Sequence, residues 1–209
     1  ERLLGTTASS LPSYAYCPII VVHYTDDDGN LMHLNNTITK VAVGADESKW
    51  GVKALQIAAD FAASWNAELE VISAVPEVKG VSSDDSVYDS YMDDLKTRVA
   101  PLQEKHPDLS VNCRIVPGSA VHTLTEASYS HDVVVVGSRG RGGFTGLLLG
   151  SISQGLLQHA VSPVYVVPRK YVEAAESRLD TVPGSPADVK PKPLDDISGV
   201  EEAPVSTAS

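Results

Sequence analysis

The residues best suited to chemistry form a glycine-rich loop that directly follows four consecutive valines, Val133–Val136. Glycine adopts positive φ at low cost, so a glycine-rich backbone can approach a ligand closely. Successive N–H groups of such a loop form a concave surface that binds anions, phosphate groups among them. The glycines of the loop are Gly137, Gly140, Gly142, Gly143, Gly146 and Gly150.

The loop ends where a helix is predicted to begin, at Gly150 and Ser151. A helix N-terminus offers N–H groups without intrahelical partners and the positive end of the helix dipole, and Ser151 adds a hydroxyl. Arg139 and Arg141 either add positive charge to the site or are simply solvated. A flexible surface loop and a short RGG-type RNA-binding tract are the alternatives. So many glycines directly after a buried strand favour phosphate binding.

Alternating strand and helix patterns must position this loop. Apolar β-branched runs predict strands, and apolar positions at helical spacing predict the helices between them. Such alternation predicts an α/β fold of three layers, in which helices cover both faces of a parallel sheet. In these sheets ligands bind beyond the carboxyl ends of the strands, where the strand order reverses. The strands are predicted at 38–45, 69–75, 111–116, 133–136 and 164–167, and the helices after Asp46 or Ser48 and at 88–105, 120–130 and 150–160.

The N-terminus resembles a later part of the chain. Residues 3–22 align without a gap with residues 148–167, so that Gly5 falls on Gly150 and Pro18 on Pro163. We interpret this as duplication of a whole domain, because the offset of 145 residues has the length of a domain. Residues 1–22 are then the last helix and strand of a preceding domain, as in an N-terminally truncated tandem protein.

The remaining segments follow from this division. Residues 23–37 are predicted to be a linker, and 38–168 a complete domain. Residues 169–209 are predicted to be a disordered tail, because prolines recur and apolar residues are scattered, although a short helix near 171–179 is compatible with the pattern.

The amino-acid composition limits the kinds of partner that this chain is expected to bind. The 27 acidic residues outnumber the 16 basic ones, for a net charge of −11, so bulk binding to nucleic acid or anionic membranes is disfavoured. No apolar stretch approaches the roughly 20 residues that span a bilayer, and no secretory leader is recognisable. We therefore expect a cytoplasmic protein in which Cys17 and Cys113 are buried free thiols.

The glycine spacing selects one nucleotide motif. Thr145 stands where the pattern G-x-G-x-x-G needs its third glycine, and no Walker sequence occurs. Gly137, Gly140, Gly150 and Ser151 instead fit Gly-x2-Gly-x9-Gly-Ser/Thr, which resembles the ATP-binding motif of the universal stress protein family. Four further segments resemble that family in order: VAVGADES, SAVPE, VPGSAVHTLTEAS and HAVSPVYVVP.

The resemblance implies a Rossmann-like nucleotide-binding fold of the HUP class, with five parallel strands in the order 3-2-1-4-5. It also implies a nucleoside end near Asp46, which follows the first strand, and near the backbone of Val75. The glycine loop would then hold the triphosphate of ATP, with or without Mg²⁺. The loop chemistry and the resemblance together give the predicted site residues Asp46, Val75, Gly137, Arg139, Gly140, Gly150 and Ser151.

The family resemblance implies an ATP-binding regulator of the stress response. Members pair through the last strand, so a homodimer or an intramolecular pairing through 164–167 is expected, and residues 18–22 are one candidate partner. A slow Mg²⁺-dependent ATP hydrolase and a dimerisation module with nucleotide as a structural ligand are the alternatives. No catalytic residue and no metal ligand is predicted, since neither a GxSxG sequence nor histidines at metal-binding spacing occur.

Overall fold

A computed structural model describes residues 6–22, 37–77, 86–140 and 149–180. The predicted linker lies almost wholly outside these residues, as do the middle of the glycine loop and residues 181–209. The helices are α1 (Thr6–Tyr14), α2 (Lys49–Trp65), α3 (Asp89–Lys105), α4 (Ala120–Ala127), α5 (Ser151–His159) and α6 (Arg169–Asp180). The strands are β1 (Ile19–Val21), β2 (Lys40–Gly44), β3 (Glu68–Val75), β4 (Val111–Pro117), β5 (Val133–Gly137) and β6 (Val164–Val167).

The sheet has the predicted parallel core and one additional strand. Its order is β1-β6-β5-β2-β3-β4, so β2 to β6 reproduce the order 3-2-1-4-5 of the expected domain. These five strands are parallel. The expected count of five strands is wrong for the whole chain, because β1 pairs antiparallel with the edge of β6, with Ile20 opposite Tyr165.

Two hydrophobic clusters cover the two faces of the sheet. On one face Val43 and Val135 pack with residues of α2 and α3. On the other face Ala42 and Val134 pack with residues of α4 and α5. All four residues of Val133–Val136 are buried, because consecutive strand residues point to opposite faces and both faces are covered.

Helix α2 begins directly after the end of β2. Ser48 is its N-cap and its side-chain oxygen accepts the N–H of Gly51 at 3.0 Å, which decides between the two predicted caps in favour of Ser48. Asn66 ends the helix at φ 54°, in the left-handed region that asparagine tolerates. The predicted apolar face was too broad, since Val52 is exposed.

The first part of the tail is helical, because α6 occupies Arg169–Asp180; this agrees with the short helix that the pattern allowed near 171–179 and corrects the assignment of the whole segment from residue 169 as disordered. Val172 is only 3% exposed and joins the cluster beneath α2. This burial gives α6 a reason to fold that composition alone does not reveal.

The N-terminal elements fall in register with the sequence repeat. Helices α1 (Thr6–Tyr14) and α5 (Ser151–His159) begin and end 145 residues apart, as the alignment of residues 3–22 with 148–167 requires. Domain duplication itself stays a prediction. Both cysteines are free thiols, but the expected burial is wrong for Cys17, which is exposed, while Cys113 is partly buried. Among the described residues, none of the helices has the length and apolar character of a membrane span.

Candidate functional site

A cavity of about 420 Å³ opens at the carboxyl ends of β2, β3 and β5. The beginnings of α4 and α5 complete its wall. This is the position that the strand order predicts, because the chain leaves β2 toward β3 on one side and β5 flanks β2 on the other. The cavity is therefore the first place to look for the predicted site.

Six of the seven predicted site residues line this cavity. They come from three separate segments of the chain, which the fold brings together at one edge of the sheet. They are Asp46, Gly137, Arg139, Gly140, Gly150 and Ser151.

Val75 is the exception, and strand alternation explains why. Neighbouring strand residues face opposite sides of the sheet, and the cavity is lined by Ile72 and Ala74. Val75 is buried on the other side, and its carbonyl accepts the N–H of Gly118 at 2.9 Å. Ile72 and Ala74 are the residues of β3 that line the cavity, and a nucleoside contact from the backbone of Val75 stays a prediction.

Asp46 forms a compact turn between β2 and α2. The N–H and the hydroxyl of Ser48 donate to Asp46 Oδ1 at 3.1 and 2.6 Å. Asp46 therefore orients Ser48, and Ser48 caps the helix. Asp46 can therefore be a turn residue and a site residue at the same time, because it also lines the cavity.

Two glycines leave room for this carboxylate. A Cβ atom on Gly51 would collide with Asp46 Oδ1, and one on Gly140 would lie 2.7 Å from Asp46 Oδ2. Hence the Asp46 carboxylate packs against the backbone of the glycine loop. This close approach brings the turn after β2 next to the glycine loop, and both segments line the cavity.

Serines that the sequence analysis did not single out anchor the glycine loop. The hydroxyl of Ser153, in α5, donates to the carbonyl of Gly137 at 2.7 Å. The carbonyl of Ser138 accepts the N–H of Gly150 at 2.8 Å. Both serines are buried, with exposures of 1% and 0%. The sequence signal for Ser153 is its spacing: it precedes the buried Leu156 by three residues and therefore lies on the same inward face of α5.

These contacts revise which donors face a ligand. The Gly150 N–H, expected to be available, is bonded to Ser138. Gly150 is the N-cap of α5, and as a glycine it has no side chain that could cap the helix. The N–H groups in the first turn of α5 are therefore the remaining donors. Ser151, Ile152 and Ser153 all line the cavity. A helix N-terminus of this kind favours a phosphate or another anion.

The ionisable residues that line the cavity are Asp46 and Arg139. The rest of the lining is small or apolar, as in sites that bind an organic ligand and fix it with a few polar groups. Within the ranges that the structure describes, no cluster of three or more His, Cys, Asp or Glu residues could hold a metal ion.

Comparison with known proteins agrees with the sequence resemblance. Residues 37–168 match the sequence model of the universal stress protein family. A universal stress protein of Mycobacterium tuberculosis is 34% identical over 172 residues, which cover 79% of this chain and 56% of that protein. The chain belongs to the universal stress protein family. This universal stress protein chain thus spans about half the length of the curated relatives it matches.

Solved universal stress proteins share the fold. A putative universal stress protein from Pseudomonas aeruginosa is 20% identical, with a TM-score of 0.57, and the match covers 85% of this chain and 61% of that one. A universal stress protein solved in complex with cAMP is 24% identical, with a TM-score of 0.52, over 64% of this chain and 98% of that one. At these identities the likeness concerns the fold alone.

Proposed function

We propose that this chain binds ATP in the cavity at the carboxyl ends of β2, β3 and β5, and that it acts as a nucleotide-dependent regulator of the stress response. One observation carries the proposal. The four motif residues Gly137, Gly140, Gly150 and Ser151 line one cavity together with Asp46. They supply a glycine backbone, a helix N-terminus and a carboxylate at the position where such sheets bind ligands.

The two ends of the nucleotide are assigned by charge. The first turn of α5, the Ser151 hydroxyl and Arg139 form the phosphate end, because donors and positive charge favour an anion. Asp46 is the acceptor for ribose hydroxyls. Ile72 and Ala74 provide the apolar contact for the base, with Val75 behind them. The cavity volume of 420 Å³ lies within the roughly 300–1,000 Å³ of small-molecule sites.

Regulation needs no catalytic group. A ligand shifts a protein between states when it binds one of them more tightly, so retained ATP is sufficient for a switch. Slow hydrolysis with Mg²⁺ is an outcome of the experiment below. Since one structurally similar protein is solved with cAMP, cAMP is included as a competitor.

The test begins with the nucleotide that the purified full chain carries. The protein is denatured, any released nucleotide is identified, and fresh protein is titrated with ATP and then incubated with ATP and Mg²⁺. We expect saturable binding in the micromolar range and retained ATP without steady ADP formation. Gly140→Ala should weaken binding about tenfold or more, equivalent to 1.4 kcal/mol, because its Cβ would crowd Asp46 Oδ2.

Two results decide against the proposal. Absence of released nucleotide together with absence of binding at millimolar ATP would exclude the ATP site. Steady ADP formation that is lost in Gly140→Ala would establish the hydrolase instead. Competition by cAMP at the same site would leave the site intact and redefine its preferred ligand.

A further inference from the structure

Helix α6 lies beyond the family match, which ends at residue 168, yet it contacts the glycine loop. The N–H of Arg169, the first residue of α6, donates to Ser138 Oγ at 2.8 Å. Ser138 stands between Gly137 and Arg139 and is completely buried. The start of α6 is therefore bonded to a side chain inside the proposed phosphate loop.

Ser138 is held through all three of its polar groups. Its N–H donates to the carbonyl of Val167 at 2.8 Å, and its carbonyl accepts the N–H of Gly150, also at 2.8 Å. Its hydroxyl oxygen accepts from Arg169. The residue thus ties together β6, the start of α5 and the start of α6, so movement of α6 changes the restraints on the loop.

A second contact joins α6 to the other half of the site. Glu176 Oε2 lies 2.8 Å from Lys49 Nζ. Lys49 is the first residue of α2, which begins directly after the turn of Asp46 and Ser48. Both side chains are 47% exposed, so this ion pair contributes little by itself. Its importance is its position, because α6 reaches both segments that flank the cavity.

Packing fixes α6 to the body of the domain. Val172 is buried in the cluster that also contains residues of α2 and β2, and Tyr171 packs against the same cluster. The helix is consequently placed by side-chain burial and by two polar contacts. The two polar contacts reach the two segments that flank the cavity.

Resting on the proposed function, we propose that α6 is a positioning element of the nucleotide site and that Ser138 is its positioning residue. Docked α6 holds the glycine loop in the conformation that binds phosphate. Because coupling between two equilibria is reciprocal, bound ATP must stabilise docked α6 to the same extent. The helix then reports occupancy of the site to the part of the chain that follows it.

The test is hydrogen exchange of the full chain with and without ATP, read at the amides of α6 and combined with ATP titration. ATP should slow exchange at Arg169–Val172 about fivefold or more, at the lower end of measured couplings. Ser138→Ala should remove this ATP-dependent protection and raise the Kd for ATP about fivefold or more. Glu176→Gln should act in the same direction and more weakly.

The matched control is Ser64→Ala. Ser64 lies near the C-terminal end of α2 and is exposed, and its hydroxyl donates to the carbonyl of Phe61 at 2.7 Å. Its loss should leave both the Kd for ATP and the exchange of α6 unchanged. If Ser138→Ala does not fold, the exchange of the wild-type chain and the Glu176→Gln titration decide the question.

The two proposals fail in different ways. If the wild-type chain binds ATP while exchange of α6 is unaltered by the nucleotide, or if Ser138→Ala and Glu176→Gln bind ATP as the wild type does, the role of α6 is wrong and the ATP site stands. If the wild-type chain does not bind millimolar ATP, both proposals are wrong.

Discussion

Two helix-strand pairs of this chain share a sequence pattern and occupy different environments. Helix α1 with β1 and helix α5 with β6 align at an offset of 145 residues. Leu156 in α5 is fully buried, whereas its counterpart Leu11 in α1 is 45% exposed. The pattern therefore specifies a helix followed by a strand, and the surroundings decide what the pair does.

The strands differ in the same way. β6 lies inside the sheet, with β5 parallel on one side and β1 antiparallel on the other. β1 is the outer strand, and its central residue Ile20 is 46% exposed. In the described structure α5 forms a wall of the cavity and β1 closes an edge of the sheet. Position relative to the glycine loop therefore separates the pair whose helix lines the cavity from the pair whose strand covers the sheet edge.

The largest effect is expected from truncating the two aligned leucines. Leu156→Ala removes a fully buried side chain and should lower the free energy of unfolding by about 2–5 kcal/mol. Leu11→Ala removes a half-exposed side chain and should cost less than about 1 kcal/mol. Urea unfolding of both variants measures the difference. Equal losses would contradict the contrast between the pairs.

The next effect concerns ATP and the residues that begin the two helices. Ser151→Ala removes a hydroxyl from the cavity and should weaken ATP binding about tenfold, since a hydrogen bond to a charged group contributes roughly 1.5–3 kcal/mol. Thr6→Ala alters the aligned position in α1 and should leave the Kd for ATP unchanged. Calorimetric titration of both variants checks this, and an equal loss in the two would show that the cavity is not the binding site.

A smaller effect is expected at the sheet edge. Deleting residues 1–22 uncovers the backbone N–H and C=O groups of β6 that β1 now pairs. The shortened chain should self-associate more strongly than the full chain in analytical ultracentrifugation. A chain ending at Asp180 serves as the control, because it retains β1. Indistinguishable association of the two shortened chains would mean that β1 does not protect this edge.

The smallest effect is expected at Asp60, a half-exposed residue of α2 that lies outside both helix-strand pairs. Burial disfavours ionised Asp60, but hydrogen bonds from Lys105 and His106, both at 2.6 Å, outweigh it and lower the pKa of the carboxyl below its ordinary value. A lowered pKa stabilises the fold above the unfolded-state pKa of about 3.9, and this contribution is lost as the pH falls through the lower native value.

Asp60→Asn should therefore destabilise the protein slightly at pH 7 and not at all once the pH lies below the native pKa of Asp60. Unfolding in urea at several pH values between 7 and 2 measures this. Lys53→Gln, on the same helix, is the control for removing a charge. A stability difference that persists unchanged into acid would assign the effect to packing instead.

The sequence predicted the parallel sheet well, because its signals are local and strong. Val133–Val136 and 164–167 appear as strands close to their predicted bounds, the alternation of elements predicted the parallel sheet, and the family resemblance implied the order of β2 to β6. The family motif also predicted residues that lie close together. Six predicted site residues meet at one cavity, since the carboxyl ends of neighbouring parallel strands share an edge.

What the sequence could not reveal depends on contacts between distant segments. Which side chains of β3 line the cavity, Ile72 and Ala74 rather than Val75, depends on the facing of the strand, which one residue of register reverses. The folding of α6 depends on burial of Val172 and on the bond from Arg169 to Ser138, two partners 31 residues apart. Composition allowed a short helix there but favoured disorder, because it contains no information about such partners.

The structure of this chain in complex with ATP is the most direct test of the central claim. The account predicts the phosphates against the first turn of α5 and Gly140, the ribose beside Asp46, and the base against Ile72 and Ala74. An empty cavity in crystals grown with saturating ATP, or the nucleotide bound at any other surface, would contradict it.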